Sequence, residues 1–408
     1  MVVPFAPRRD NWHGGRVVAQ LLSHLLDHHE IAIVYLDLAD ARPIDPDLAA
    51  RCAIVKGVPI RNGRWIGPRW RHRFRVLASQ LTGRPSSVGA LHSRQLARTV
   101  QQVASQWQPD VIQIEHDVLG YCVPYVASSG AAKVLVNHDP GLRSSRDLVG
   151  VTGGRQRLAH RLDVVAWRRY WAKTLPGVDT VVVFTRDDAE TVSQAVSGVP
   201  VVQIPLGIDI PGRPSDPAGS EASTVVFIGG YAHDPNLDAA FRLIRSIMPR
   251  IRDREPGVRL VLVGDDPSPA MRDAAGAGDE ITGGVPSVAP YLDRAAVIAL
   301  PIRLGGGMRV KLLEALAAGK AVVASPVAVA GLEAVDHDVL RIAKTDTEFS
   351  DAILELLADR DARADLGQNA RSWAVANLSW DSRRADYEQL YRTLLAAVAT
   401  ARTETISR

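Results

Sequence analysis

The chain has only two cysteines in 408 residues, Cys52 and Cys122, too few for a disulfide framework or a thiolate metal centre. No apolar run reaches the roughly 18 residues a membrane-crossing helix needs. Met1 leads into VVPFAPRRD rather than a basic start followed by a long apolar stretch, so neither a secreted nor a transmembrane protein is expected. A reducing cytoplasm is the expected compartment. Low-complexity tracts are absent, and no nucleic-acid module signature occurs, so no nucleic-acid partner is expected. No strand is followed by G-x-G-x-x-G opening a helix, which disfavours a dinucleotide-dependent oxidoreductase. The one acidic pair with metal-like spacing, Asp45-Pro46-Asp47, does not directly follow a strong apolar strand and reads as an ordinary turn. No metal site is expected.

What the chain does have is the composition of a folded globular protein, 46% hydrophobic and 23% charged, at a length that suits two domains. The net charge of +3 conceals an asymmetry: residues 1–210 hold 25 Lys and Arg against 18 Asp and Glu, so the first half should meet the more anionic partner. Much of the excess lies in RNGRWIGPRWRHRFRV, where Arg61, Arg64, Arg69, Arg71, Arg73 and Arg75 alternate with Trp65, Trp70 and Phe74. That stretch reads either as a solvated loop and helix or as a peripheral contact with an anionic membrane or acidic acceptor.

Short Val- and Ile-rich runs, each followed by helical spacing, mark an α/β chain of parallel strands joined by crossover helices. The strand candidates of the first half are 31–36, 111–115, 133–137, 180–184 and 201–205, with helical periodicity over 15–29, 93–107 and 156–174. After GIDIPGRPSDPAGSEAS (207–223), a candidate linker, the alternation restarts at 224–228, 259–263, 296–300 and 321–325. Its helices are expected at about 235–253, 308–319, 346–358 and 380–399. The domains are thus expected over 1–206 and 224–379, with a last helix in 380–408 packing back on the first through Tyr387, Leu390, Leu394 and Val398. Each half reads as a doubly wound, Rossmann-like sheet. Such sheets bind ligands beyond the carboxyl ends of their strands, so two of them facing each other would create a cleft.

The most informative segment is VIALPIRLGGGMRVKLLEALAAGKAVVAS: a strand ends at Pro301, Gly305, Gly306 and Gly307 follow, and a helix begins near 308. Glycines let a backbone approach phosphate closely, and the free N–H groups of a first helical turn point at bound anions. Arg309 and Lys311 would meet a diphosphate and Glu314 the ribose hydroxyls, since three residues of helix rise separate Lys311 from Glu314 on one face. An ordinary surface ion pair is the alternative for Lys311 and Glu314. The segment is not a Walker A loop, because no Ser or Thr follows Lys311 to hold magnesium.

Four stretches in order, TVVFIGGYAHDPNLDAAFRLIRSIMPRI, RLVLVGDDP, LPIRLGGGMRVKLLEALAAGKAVVASPVAVAGLEA and ARSWAVANLSWDSRRADYEQLY, resemble family 4 retaining glycosyltransferases of the GT-B fold. The first half resembles them more loosely, through HGG at 13–15, DVIQIE at 110–115 and DTVVVFTRDDAE leading to VPVVQIPLGID. The resemblance implies a nucleotide diphosphate sugar on the C-terminal domain and a glycan, glycolipid or other hydroxyl acceptor on the N-terminal one. It also implies retention at the anomeric carbon, no metal ion and no cofactor. A departing nucleoside diphosphate develops negative charge that helix amides, Arg309 and Lys311 can neutralise in place of a cation.

By position the resemblance places Gly14 and Gly15 at the acceptor side, His138 near the transferred sugar and main-chain groups near Gly284 and Val285 at the base. Gly229 and Gly230 would allow close approach to the donor, with His233 and Asn236 supplying hydrogen bonds. The bland readings are helix capping for Asp234 and Asn236, a solvent-facing His233, and a His138–Asp139 pair fixing the loop before Pro140. His116, beside Glu115 and Asp117, is a weaker candidate for the acceptor side. Two departures stand out. Family members often carry a glutamate eight positions before the one matching Glu314, where this chain has Gly306; this suggests a GGG-x-R-x-K-x-x-E subgroup. Many relatives also carry Arg and Lys in the loop that here reads GGYAHDPN. The alternatives are a nucleotide-sugar epimerase of the same architecture, which would need paired acid and base groups at the sugar, and a sugar-nucleotide-binding protein without turnover.

Overall fold

The computed structural model describes all residues except 10–14, 39–41, 61–82, 220, 222, 333–334 and 407–408, and side chains are not described at 151, 382 and 401–406. The chain divides into two compact units, Met1–Pro205 with Arg383–Arg408, and Leu206–Ser382. The first holds a seven-stranded sheet in the order β3-β2-β1-β4-β5-β6-β7. Its strands are β1 (Val2–Val3), β2 (Ala32–Leu38), β3 (Ile54–Ile60), β4 (Val111–Glu115), β5 (Ala132–Asn137), β6 (Thr180–Val183) and β7 (Val201–Gln203). The second holds six in the order β10-β9-β8-β11-β12-β13: β8 (Thr224–Ile228), β9 (Arg259–Val263), β10 (Glu280–Ile281), β11 (Val297–Leu300), β12 (Val322–Ala324) and β13 (Arg341–Ile342). Among the described residues every strand pairing is parallel.

The central strands are continuously apolar because helices cover both faces: Val181, Val182 and Val183 of β6 and Val225, Val226 and Phe227 of β8 are all fully buried. In each sheet the winding reverses once, between β1 and β4 and between β8 and β11. The strand ends at those two reversals are where a doubly wound sheet opens room for a ligand.

Four strands escape a periodicity reading. β1, β10 and β13 are two residues long, and β3, IVKGVPI, carries Gly57 and Pro59, which read as breakers but are tolerated on a sheet edge. The helix expected over 235–253 is three pieces. An α-helix over Asp234–Arg242 widens to a π-turn over Leu243–Ile247, and Met248–Arg252 follows, since Pro249 has no N–H to donate and would crowd the preceding turn. The last helix runs from Trp380 to Ile406, longer than expected; from Arg383 it lies in the first unit, where Tyr387 and Leu390 are buried.

The expected linker 207–223 is corrected by the structure, because its described part from Leu206 onward is packed into the second unit. Three cations fasten it by its carbonyls. Lys320 Nζ donates to Asp216 O, Arg363 Nε to Ala218 O at 3.0 Å, and Arg371 to Pro211 O. Lys320 and Arg363 are fully buried. Gly219 has φ +79° and lies so close to the Ala295 carbonyl that a Cβ there would sit 2.1 Å from its oxygen. The glycine and prolines that resemble a flexible connector therefore serve close packing.

Candidate functional site

In the second unit the expected donor residues follow the carboxyl ends of three strands, and Asp265, which is not among them, follows a fourth between two of these. Gly229 and Gly230 follow β8, Asp265 follows β9, Gly284 and Val285 follow β10, and Gly305, Gly306, Gly307 and Arg309 follow β11. The helix after the glycines spans Val310–Ala317, with Arg309 at its N-cap position. Gly305 (φ +90°) and Gly307 (φ +71°) adopt left-handed backbone that other residues resist. Around them Arg309 closes a brace, Nη1 donating to Gly306 O at 2.6 Å and Nη2 to Gly305 O at 2.6 Å and Leu304 O at 3.0 Å. In a trans peptide the N–H points opposite to the C=O, so drawing three carbonyls to the guanidinium turns the amides of Gly305, Gly306 and Gly307 the other way. Arg309 is thus engaged with its own loop rather than extended toward a ligand.

Lys311 does not simply pair with Glu314 on a surface. Its Nζ donates to Asn236 Oδ1 and lies 4.9 Å from the centre of the Phe227 ring. Asn236 in turn donates from Nδ2 to Gly230 O at 2.8 Å. Asn236 therefore ties the glycine loop after β8 to the cation after β11, and the helix it sits on is capped by His233, with no side-chain cap bond. His233 and Asp234 are exposed at that helix start. A Cβ on Gly229 would lie 2.7 Å from Lys311 Nζ, so glycine here is what lets the ammonium reach the loop. Burial, helped by the neighbouring Arg309 charge and opposed by Glu314, lowers the Lys311 ammonium to about 7. Glu314 is half-buried one turn further along the helix. Gly284 lies against Asp265, where a Cβ would meet Oδ1 at 2.1 Å, and Val285 is half-buried beside it. Tyr231, in the loop after Gly230, is buried and its hydroxyl has no hydrogen-bond partner among the described residues.

The first unit gathers a second set of groups beyond β4, β5 and β6. His138, just past β5, bonds through Nε2 to Glu115 Oε2 at 2.6 Å, and Glu115 is fully buried at the end of β4. The other carboxylate oxygen accepts from Gln113 Nε2, whose own carbonyl oxygen accepts from the Tyr391 hydroxyl. A carboxylate with both oxygens accepting fixes the proton on His138 Nε2 and leaves Nδ1 as the ring's other polar atom. The ring is stacked on His116 with centroids 3.9 Å apart at 14°, and meets Phe184 edge-on at 4.9 Å. Burial and His138 hold the His116 imidazole well below its ordinary pKa, so it is neutral. His116 has φ +69°, and its Nε2 has no partner among the described residues, nor has either side-chain polar atom of Asn137, which is 1% exposed. Asp139 accepts from Ser144 Oγ at 2.7 Å, and the partner that orients His138 is Glu115, which the sequence offers only as a neighbour of His116. Its signal was a carboxylate ending an otherwise buried strand, VIQIE.

Gly15 is buried at the start of the helix Gly15–Leu25; Gly14, like Arg61–Arg75, lies outside the described residues. Asp45 and Asp47 face arginines: Arg9 N donates to Asp45 Oδ2 at 2.8 Å, and Arg9 Nη1 lies 3.9 Å from Asp47.

Asp117, on the far side of the His116 turn, accepts from Gly141 N and Trp171 Nε1, both at 3.2 Å, and burial pushes its carboxyl up to about 7. Between pH 4 and 7 the folded protein keeps a proton that the unfolded chain has lost. Its contribution is therefore fully present below about pH 4 and declines as pH rises to about 7. Asp117→Asn retains an acceptor without the titration. Its stability relative to wild type should rise across that window by on the order of 2–4 kcal/mol in urea denaturation; parallel curves would refute the assignment.

Residues 222–359 match the family described as Glycosyl transferases group 1. Over its matched part the chain is 30% identical to the GDP-mannose-dependent alpha-(1-6)-phosphatidylinositol monomannoside mannosyltransferase of Mycobacterium tuberculosis, covering 46% of this chain and 55% of that one. The chain thus spans about half the length of the curated relatives it matches. Among solved structures it is similar to sucrose-phosphate synthase from Thermosynechococcus elongatus (TM-score 0.73, 16% identity, 97% of this chain and 99% of that one). It is also similar to HepE of Anabaena in complex with UDP and glucose (TM-score 0.59, 15% identity, 100% and 99%). The fold is GT-B: two parallel, helix-flanked sheets.

Proposed function

We propose that the whole chain is a group 1 glycosyltransferase that takes a sugar from a nucleotide diphosphate donor, with retention at the anomeric carbon and without a metal ion. The observation that carries this reading is the convergence of Gly229, Asn236, Lys311 and the Arg309-braced glycine loop on the strand ends beside the β8/β11 reversal. In this reading the amides of Gly306 and Gly307 and the first turn of the following helix receive the diphosphate. Lys311 supplies the charge that the leaving group needs, and Glu314 holds the ribose. Arg309 shapes the loop. The family match over this segment and the mannosyltransferase relative support the same assignment.

The first unit is proposed to receive a glycan or lipid-linked hydroxyl acceptor. There His138, its proton placed on Nε2 by Glu115, presents Nδ1 as an acceptor to a sugar hydroxyl. A thermal-shift panel of GDP-, UDP- and ADP-sugars, repeated with chelator, tests the donor half. One nucleotide sugar should raise the melting temperature equally with and without EDTA. No shift with any of them, or a shift abolished by chelator, would overturn the reading as stated.

A further inference from the structure

The helix Gly154–Thr174 of the first unit carries a surface that the donor and acceptor chemistry leaves unused. Its inward side is buried through Ala166, Trp167, Tyr170, Trp171 and Thr174. Its outward side bears Leu158, Leu162 and Val165, exposed by 59, 45 and 43%; among the described residues these are three of the five well-exposed large apolar side chains. At 100° per residue, the spacings of four and three place them in one stripe directly opposite Trp167. A soluble protein gains nothing by leaving an aliphatic stripe on a helix whose other side already anchors it.

The charge around the stripe is of one sign. Arg155 and Lys173 are exposed along one margin and Arg161 and Arg168 along the other, Arg169 is exposed in the line of the stripe itself, and among the described residues none of the five is paired with a carboxylate. The only acid of the helix, Asp163, is turned inward, accepting from Ser86 N at 2.8 Å and Ser145 Oγ at 3.0 Å. An aliphatic stripe with cations on both sides and no acid is the pattern of a helix that lies in a lipid headgroup layer, its apolar side sinking roughly 5–10 Å. Two copies of so basic a face would repel each other across a two-fold axis, which argues against self-association.

We propose that the outward face of Gly154–Thr174 docks the protein on a bilayer rich in anionic phospholipid. The inference does not rest on the donor-site reading and is separate from the basic stretch 61–75. Flotation of the full chain with vesicles tests it. Binding is expected to vesicles of phosphatidylcholine containing about 30 mol% phosphatidylglycerol, to be absent with phosphatidylcholine alone, and to weaken steeply with added salt. Leu158→Ser with Leu162→Ser should weaken it at least ~tenfold. Arg161→Gln with Arg169→Gln should weaken it roughly 30-fold, about fivefold for each cation removed. All four side chains are exposed, so the melting temperature should hold and report intact folding. Failure of the wild type to bind, or binding that survives both pairs of substitutions, would overturn the proposal. So would sedimentation showing a dimer that Leu158→Ser with Leu162→Ser disperses, since the stripe would then cover a second copy.

Discussion

Lys311→Met is expected to lower turnover about 100-fold or more while leaving the fold intact. The reason lies in what the ammonium does before any ligand arrives. Burial holds it near a pKa of about 7, so at pH 8 it is largely neutral, donating to Asn236 beside the Gly229–Gly230 turn. A diphosphate placed against the glycine loop would restore the proton by its own charge, and the growing charge on the leaving group would then be met by a partly desolvated cation, where electrostatic stabilisation is greatest. A loss of about 100-fold corresponds to roughly 2.7 kcal/mol, within the range for a charge-assisted contact. Donor binding at pH 8 should take up close to one proton in the wild type and none in the variant. Calorimetry in buffers of different ionisation enthalpy measures this, and equal proton uptake in both would sink the role given to Lys311.

The same shift has a signature in stability. A lysine whose folded pKa lies below its unfolded value disfavours the fold most where both states are protonated, below about pH 7. That disadvantage shrinks as pH rises from 7 toward 10.5. The stability of Lys311→Met relative to wild type should therefore be highest below pH 7 and fall through that window, as read by urea midpoints.

The second large effect is expected at Glu115. Glu115→Gln nearly preserves the shape of the side chain, yet removes the charge that fixes His138 and that Gln113 and Tyr391 support from behind. Turnover should drop roughly 10- to 100-fold, less than the roughly 10²–10⁴-fold that a positioned proton-transfer group contributes, because the imidazole itself remains, with donor-induced thermal stabilisation unchanged. Because Glu115 acts through His138, the double variant Glu115→Gln/His138→Ala should be no slower than His138→Ala alone. Independent, multiplying losses would show that Glu115 does something other than orient the imidazole.

The sequence alone determined the class of this protein and the parts of it that are local. Alternating apolar runs and helical stretches dictate two parallel, helix-covered sheets, because a strand without polar faces has to be buried on both sides. Three glycines before an amphipathic helix, with Lys311 in its first turn, mark the turn proposed here to bind an anion, because its chain geometry spans only a few residues. Tertiary structure decided what depends on neighbours distant in the chain. Asn236 and Lys311 are 75 positions apart and Glu115 and His138 are 23 apart, so no spacing rule brings either pair together; the crossover of parallel strands does. The same packing turned Arg309 inward onto its own carbonyls and fastened a linker-like segment with buried cations. A charged side chain takes whichever acceptors the folded backbone leaves unsatisfied around it, and which ones those are is fixed only when the sheets have formed.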